Sequence, residues 1–99
     1  MKFEQIRNYA PQIFSIAKKH GITKIFVFGS VVREESTSQS DIDFLVEMQD
    51  GASLFGIAGF GYETEQLLGV PVDVIPVSVL PQVSDREFVK NIQNEAVAL

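Results

Sequence analysis

The stretch FGSVVREESTSQSDIDFLVE, residues 28–47, ends one apolar segment of the chain and begins another. It places Gly29 and Ser30 after the first segment and, ten residues later, Asp41 and Asp43 at the start of the second. Side chains alternate between the two faces of a strand, so the two carboxylates are predicted to share one face. Carboxylates this close repel each other unless a cation lies between them. The stretch therefore predicts two strands and a turn that together carry an acidic site.

The flanking sequence predicts an alternation of helices and strands. Pro11 lies inside the first apolar-periodic segment and predicts either a kink or a second helical segment that begins near Ala10. Pro71 and Pro76 are tolerated in the last predicted strand only if they lie at its ends or at a bulge, or if the strand is at an edge of the sheet. The order of elements predicts an α/β (α+β) fold, with helices packed on a small mixed β-sheet. The predicted helices cover 3–20, 31–35, 53–68 and about 84–95, and the predicted strands cover 22–28, 42–48 and 70–77.

Length and composition restrict the class of protein. The chain has 99 residues, of which 45% are hydrophobic, so residues 1–99 are expected to form one domain around one core. The absence of cysteine excludes disulfides and thiolate metal sites. A net charge of −5 disfavours direct binding of nucleic acid. No apolar run approaches the roughly 20 residues of a membrane span, and no signal peptide is evident, so a cytoplasmic location is expected.

A third carboxylate lies in the middle of the last predicted strand. Asp73 is flanked by the apolar residues Val72 and Val74, where a charge is expected only if it faces an open site or protects a sheet edge. Oxygen ligands without His or Cys favour Mg²⁺ or Mn²⁺, which bind carboxylates together with water and substrate phosphates. Asp41, Asp43 and Asp73 are therefore predicted to bind metal, with Asp73 completing a two-metal site.

The turn at Gly29 and Ser30 is predicted to bind phosphate. Its backbone N–H groups can surround an anion, because Gly29 has no Cβ to obstruct phosphate oxygens. Ser30 adds a hydroxyl donor. Arg33, one turn further on, is predicted to reach the same phosphates or to brace the carboxylates, although an exposed arginine in a charged loop needs no function.

These residues resemble a known family. Gly29-Ser30, ten residues and then the D-x-D pair at 41–43 match the G-S-x(10)-D-x-D signature of the DNA-polymerase-β-like nucleotidyltransferases, and the chain looks like their minimal nucleotidyltransferase (MNT) branch. The similarity extends to HGITKIFVFGS, QLLG, VPVDVI and NEAVAL. The chain departs from the family at Val32 and Glu34, where a small residue and then a glycine are common.

The resemblance implies a polymerase-β-like nucleotidyltransferase fold and a set of residue roles. Asp41 and Asp43 would bind two Mg²⁺ ions, Asp73 would complete the site, and Gly29 and Ser30 would hold a nucleoside triphosphate. Many MNT domains partner a HEPN toxin, and the better understood ones act as antitoxins by transferring AMP from ATP to a toxin tyrosine. A HEPN-type partner is therefore expected.

Two other functions remain open at the level of sequence. In one, the chain neutralises a partner by binding alone; in the other, it transfers a nucleotide to a small molecule. The short chain leaves no space for a domain that selects the acceptor, so another protein is expected to supply the acceptor. The apolar, glycine-spaced segment 54–62 is a candidate for that contact or for the domain's own core. A homo-oligomer is also compatible with the sequence.

Overall fold

A computed structural model describes residues 1–99. No helix in it combines the length and the apolar character that crossing a membrane would require. The main elements alternate as predicted, and two short 3₁₀ segments connect them. In chain order the elements are α1 Phe3–Asn8, α2 Ala10–Lys19, β1 Ile22–Phe28, a 3₁₀ turn Gly29–Val31, β2 Ile42–Met48, α3 Phe55–Leu68, β3 Val72–Pro76, a 3₁₀ segment Val77–Gln82, α4 Arg86–Glu95 and β4 Val97–Ala98.

The four strands form one mixed sheet in the order β3-β2-β1-β4. β1 pairs antiparallel with β2 and with β4, whereas β2 and β3 run parallel. This confirms the predicted α/β fold with a small mixed sheet. β3 lies at an edge, and Pro71 and Pro76 fall before it and at its last residue, where a proline removes no hydrogen bond that the sheet needs.

The two faces of the sheet carry separate apolar clusters. Helices α1, α2 and α3 pack on one face, where Phe44 of β2 meets Phe60 of α3 edge to face, with ring centroids 5.8 Å apart. Helix α4 covers the other face. Because residues alternate along β2, Ile42, Phe44 and Val46 join the larger cluster, while Leu45 joins the smaller one with Val89 and Ile92 of α4. Asp43 therefore points to the α4 face.

The element boundaries agree with the sequence in most places. Pro11 lies in the first turn of α2, where its missing N–H costs nothing, so the second helical segment begins at Ala10 as one of the two alternatives predicted. Asp85 caps α4 by accepting a hydrogen bond from the Phe88 N–H at 3.0 Å. The helix predicted over 31–35 is wrong: the 3₁₀ turn covers 29–31 and the chain then forms turns.

The apolar segment 54–62 divides between core and surface. Phe60 is fully buried, whereas Leu54, Phe55 and Tyr62 are 67%, 88% and 65% exposed. Gly59 faces the ring of His20, and a Cβ at residue 59 would lie 2.6 Å from its Nδ1. Gly56, which faces the His20 carbonyl, and Gly59 thus allow α3 to approach the end of α2 closely.

The contact between α2 and α3 continues at a polar cluster. The His20 Nε2 atom hydrogen-bonds to Glu63, and Lys19 donates to Glu63 at 2.5 Å. These hydrogen bonds, led by the one from Lys19, lower the pKa of Glu63. His20 therefore connects the two helices.

Candidate active site

Asp43 and Asp73 lie side by side in the sheet. They are direct partners in the parallel register of β2 and β3, and paired residues of adjacent strands point to the same face. Both line a cleft of about 620 Å³ on the α4 face. The parallel pairing thus brings together two carboxylates that are 30 residues apart in the sequence.

Asp41 stands at the rim of this arrangement. It directly precedes β2, is exposed and does not line the cleft. Its charge nevertheless acts on Asp43. The three aspartates form no ion pair and accept no hydrogen bond, so no protein cation neutralises them directly.

Asp43 is the aspartate of the site whose pKa is shifted. Burial raises its pKa from the ordinary 3.8 to about 6, and the charges of Asp73 and Asp41 add to this effect. The charge of Arg33 opposes it. An anionic Asp43 is therefore costly in the free protein, and a bound cation would relieve that cost.

The carboxylates form an open site, not a closed metal centre. No group of three acidic or histidine side chains is close enough to hold a metal ion by itself. The uncompensated charge at Asp43 and the oxygen-only donor set nevertheless fit Mg²⁺, which usually takes one or two protein carboxylates and fills its remaining positions with water and phosphate oxygens. The residues are thus suited to a metal ion that arrives with a phosphate ligand.

The turn after β1 brings Gly29 against Asp43. Gly29 has a φ of 81°, in the left-handed region that favours glycine, and its carbonyl accepts the N–H groups of Val32 and Arg33 at 3.1 Å. A Cβ at residue 29 would collide with the Oδ2 atom of Asp43. Glycine is therefore required here both by the backbone conformation and by the neighbouring carboxylate.

Glu95 is the site residue that the sequence analysis missed. This last residue of α4 accepts the backbone N–H of Gly29 at 2.8 Å and two hydrogen bonds from Arg33 at 3.0 and 3.1 Å. An acidic side chain at a helix C-terminus opposes the helix dipole, and this anomaly is the signal that could have identified it.

The remaining predicted phosphate ligands differ in their surroundings. Arg33 lines the cleft and pairs with Glu35, at 3.0 Å from its Nε atom, as well as with Glu95. These hydrogen bonds, that of Glu35 first, raise the pKa of the guanidinium. Ser30 is half-buried, its hydroxyl makes no hydrogen bond and it does not line the cleft.

The loop beyond Arg33 contains one backbone outlier. Glu34 has a φ of 59° and is the one residue other than glycine with a positive φ. It occupies the position where the resembling family commonly has glycine. The loop thus takes a left-handed conformation at this point despite the side chain.

The far wall of the cleft comes from α4. Phe88, Asn91 and Ile92 line it opposite Val74 and Ile75 of β3. This wall is mainly apolar, with one amide, and it adjoins the carboxylate pair and the Gly29 turn. The cleft can therefore accommodate a ligand that has a phosphate end and a less polar body.

Comparison with known proteins gives matches over most or all of the chain. Residues 7–99 match the family described as nucleotidyltransferase domain. A candidate protein adenylyltransferase of Methanocaldococcus jannaschii, MJ0435, is 42% identical over 87 residues, which are 87% of this chain and 88% of the relative. A solved structure of a candidate minimal nucleotidyltransferase is 32% identical and superimposes with a TM-score of 0.79, covering 100% of this chain and 97% of the other.

A more distant structural match contains a complex. It is the tri-AMPylated HEPN toxin of Shewanella oneidensis bound to an MNT antitoxin, and the matched chain is 14% identical to this protein. The TM-score is 0.62, with 93% of this chain and 69% of the other covered. At this identity the match demonstrates a shared fold only.

Proposed function

Because this chain belongs to the nucleotidyltransferase domain family, as a minimal nucleotidyltransferase, we propose that it transfers AMP from ATP to a tyrosine of a partner HEPN toxin and thereby acts as an antitoxin. The observation that carries the proposal is the pairing of Asp43 with Asp73 in adjacent strands, next to the Gly29 turn. The names of the Methanocaldococcus relative and of the Shewanella complex support the chemistry and the partner.

The three aspartates have distinct roles in this proposal. Asp41 and Asp43 would hold two Mg²⁺ ions together with Asp73. When bound, Mg²⁺ neutralises the phosphate charge and stabilises the pyrophosphate that leaves. Asp73 orients the tyrosine hydroxyl and accepts its proton as the phenolic oxygen bonds to the α-phosphorus and the bond to pyrophosphate breaks. The products are the adenylylated tyrosine and pyrophosphate.

The turn after β1 holds the phosphate end of ATP. The Gly29 N–H and the Arg33 guanidinium already bind a carboxylate in the structure, so they can also bind a phosphate oxygen. We assign the Ser30 hydroxyl, which has no protein partner, to the same phosphates. The apolar wall of α4 then borders the nucleoside.

Labelling tests the proposal directly. The protein is incubated with Mg²⁺, ATP labelled at the α-phosphate and a HEPN-type partner protein, which is sought first among the products of the neighbouring genes. We expect label on the partner with the native protein and with D50N, which removes a carboxylate from the turn after β2, far from the cleft. The double variant D41N/D43N should give no label. Failure of the native protein to label the partner would contradict the proposal.

The same variants separate the two alternatives. If D41N/D43N still protects cells from the partner, neutralisation by binding alone is sufficient. If the native protein labels an aminoglycoside-like compound in the absence of a partner, the acceptor is a small molecule.

A further inference from the structure

The anion-binding turn of this protein contains an anion from the protein itself. The Gly29 N–H and the Arg33 guanidinium converge on the single carboxylate of Glu95, with three hydrogen bonds of 2.8 to 3.1 Å. The donors come from the turn after β1, whereas the acceptor ends α4, so the contact joins segments 66 residues apart. These are the same two donors that the proposed function assigns to phosphate.

We propose that Glu95 is a specificity-determining residue of the nucleotide site: its carboxylate holds both donors in the free protein, and an incoming triphosphate competes with it for them. This inference rests on the proposed function. Glu95 therefore sets how tightly the phosphates bind, while the uncharged nucleoside is unaffected.

Electrostatics favours displacement of Glu95 when phosphate binds. Glu95 lines the same cleft as Asp43 and Asp73, and its charge contributes to the raised pKa of Asp43. A triphosphate that kept Glu95 beside it would add a further anion to this group. Since a carboxylate at the end of a helix is also disfavoured by the helix dipole, Glu95 is held mainly by the two donors that phosphate can take.

The position of Glu95 allows its side chain to leave the Gly29 turn while the backbone stays in place. Its backbone is fixed on both sides, by α4 before it and by the pairing of β4 with β1 after it. The side chain itself is 21% exposed and has rotatable bonds that can turn the carboxylate toward solvent. Exchange of one anion for another therefore requires a change of rotamer only.

Binding measurements test this role. Dissociation constants for Mg·ATP, inorganic triphosphate and adenosine are measured by calorimetry for the native protein and E95Q. Removing the competing charge should tighten binding of both phosphate ligands about tenfold, which corresponds to about 1.4 kcal/mol, and leave adenosine unchanged. The Tm of free E95Q should fall, because the ion pair with Arg33 is lost. If Glu95 only braced the site, E95Q would instead lower both the Tm and the affinity for phosphate ligands.

Two variants are matched controls. E87Q removes one charge from the exposed side of the same helix, and E35Q removes the other carboxylate that pairs with Arg33 but does not contact Gly29. Both should change the affinity for Mg·ATP by no more than about threefold, since neither vacates the turn. If E95Q does not fold, E95D replaces it: the shorter side chain cannot keep both donors, and tighter triphosphate binding is again expected.

The outcomes separate this inference from the function on which it rests. Unchanged or weaker triphosphate binding by the Glu95 variants, with normal binding by the native protein, would overturn the role of Glu95 alone. If neither the native protein nor E95Q binds Mg·ATP, both the proposed function and this role are overturned. Binding by E95Q where the native protein binds weakly or not at all supports the competition.

Discussion

Gly29 and Asp43 lie so close together that residue 29 has no room for a Cβ, which would overlap the Asp43 carboxylate. The variant G29A should therefore lose both stability and nucleotide binding. Gly51 offers a matched control, because its φ of 79° is nearly the same but nothing lies within 4 Å of a Cβ built there. G51A should cost about 1 kcal/mol for the left-handed backbone, and G29A about 1–3 kcal/mol more for the collision. Urea unfolding measures both, and equal losses would contradict the collision.

The stability of the metal-free protein should depend on the titration of Asp43. Its pKa is about 6 in the folded protein, above the ordinary 3.8, so the folded state binds this proton more tightly than the unfolded state. The stabilising contribution is present below about pH 4 and is lost as the pH rises through about 6. D43N should therefore gain stability relative to the native protein over that interval. Urea midpoints measured against pH in EDTA buffer give this difference. The control variant D50N should show the same pH dependence as the native protein.

Mg²⁺ should stabilise the protein through the paired carboxylates. A ligand that binds only the folded state raises the Tm, and the increase grows with the logarithm of its concentration relative to its dissociation constant, so millimolar Mg²⁺ should give an increase that EDTA reverses. D43N and D73N should lose this response, whereas D50N should keep it. Calorimetric scans with and without Mg²⁺ provide the measurement. An equal response in D43N and the native protein would argue against metal binding at this pair.

The contact between Gly59 and His20 should be detectable as an energetic coupling. G59A places a methyl group against the imidazole ring and should cost about 1–3 kcal/mol in the native background. In the H20A background the ring is absent, so the same substitution should cost much less, and alanine should even favour the helix. A double-mutant cycle by urea unfolding measures the coupling. Additive effects would show that the ring does not restrict residue 59.

The left-handed conformation of Glu34 should be a source of strain. A side chain at a φ of 59° costs roughly 1 kcal/mol, which glycine largely avoids. E34G should therefore stabilise the folded protein by up to about 1 kcal/mol, reduced by the greater freedom of glycine when unfolded. Thermal unfolding measures the effect. E34A, which keeps a Cβ, should not give the same gain.

Much of the fold could be predicted because local sequence specifies it. The β-branched and aromatic runs locate β1 and β2 to the residue, and Asp85 marks the start of α4. The common face of Asp43 and Asp73 could not be predicted in the same way, because it depends on the register of β2 and β3, and a slip of one residue would move Asp73 to the other face. β4 was not predicted, because two residues are too few for any periodicity, and its pairing with β1 is decided by tertiary structure.

The part of the site that escaped prediction depends on contacts distant in sequence. A carboxylate at the end of α4 marks Glu95 as unusual, but the local sequence does not specify that it reaches the Gly29 turn, because the docking of α4 on the sheet creates that contact. Gly56 and Gly59 of α3 were unexplained for the same reason: their requirement lies in His20, at the end of another helix. The roles of all six predicted site residues toward nucleotide and metal remain predictions: Asp41, Asp43, Asp73, Gly29, Ser30 and Arg33.

The short strand β4 links the edge of the sheet to the conformation of the active site. Leu99 donates its N–H to the carbonyl of Ile25 at 3.0 Å, only four residues after Glu95 and four before Gly29. Hydrogen exchange at the Leu99 amide can therefore report whether the end of α4 moves when the site is occupied. Its hydrogen-exchange rate should stay constant when nucleotide binds if only the Glu95 side chain turns away, and should rise if the whole end of α4 lifts off the sheet.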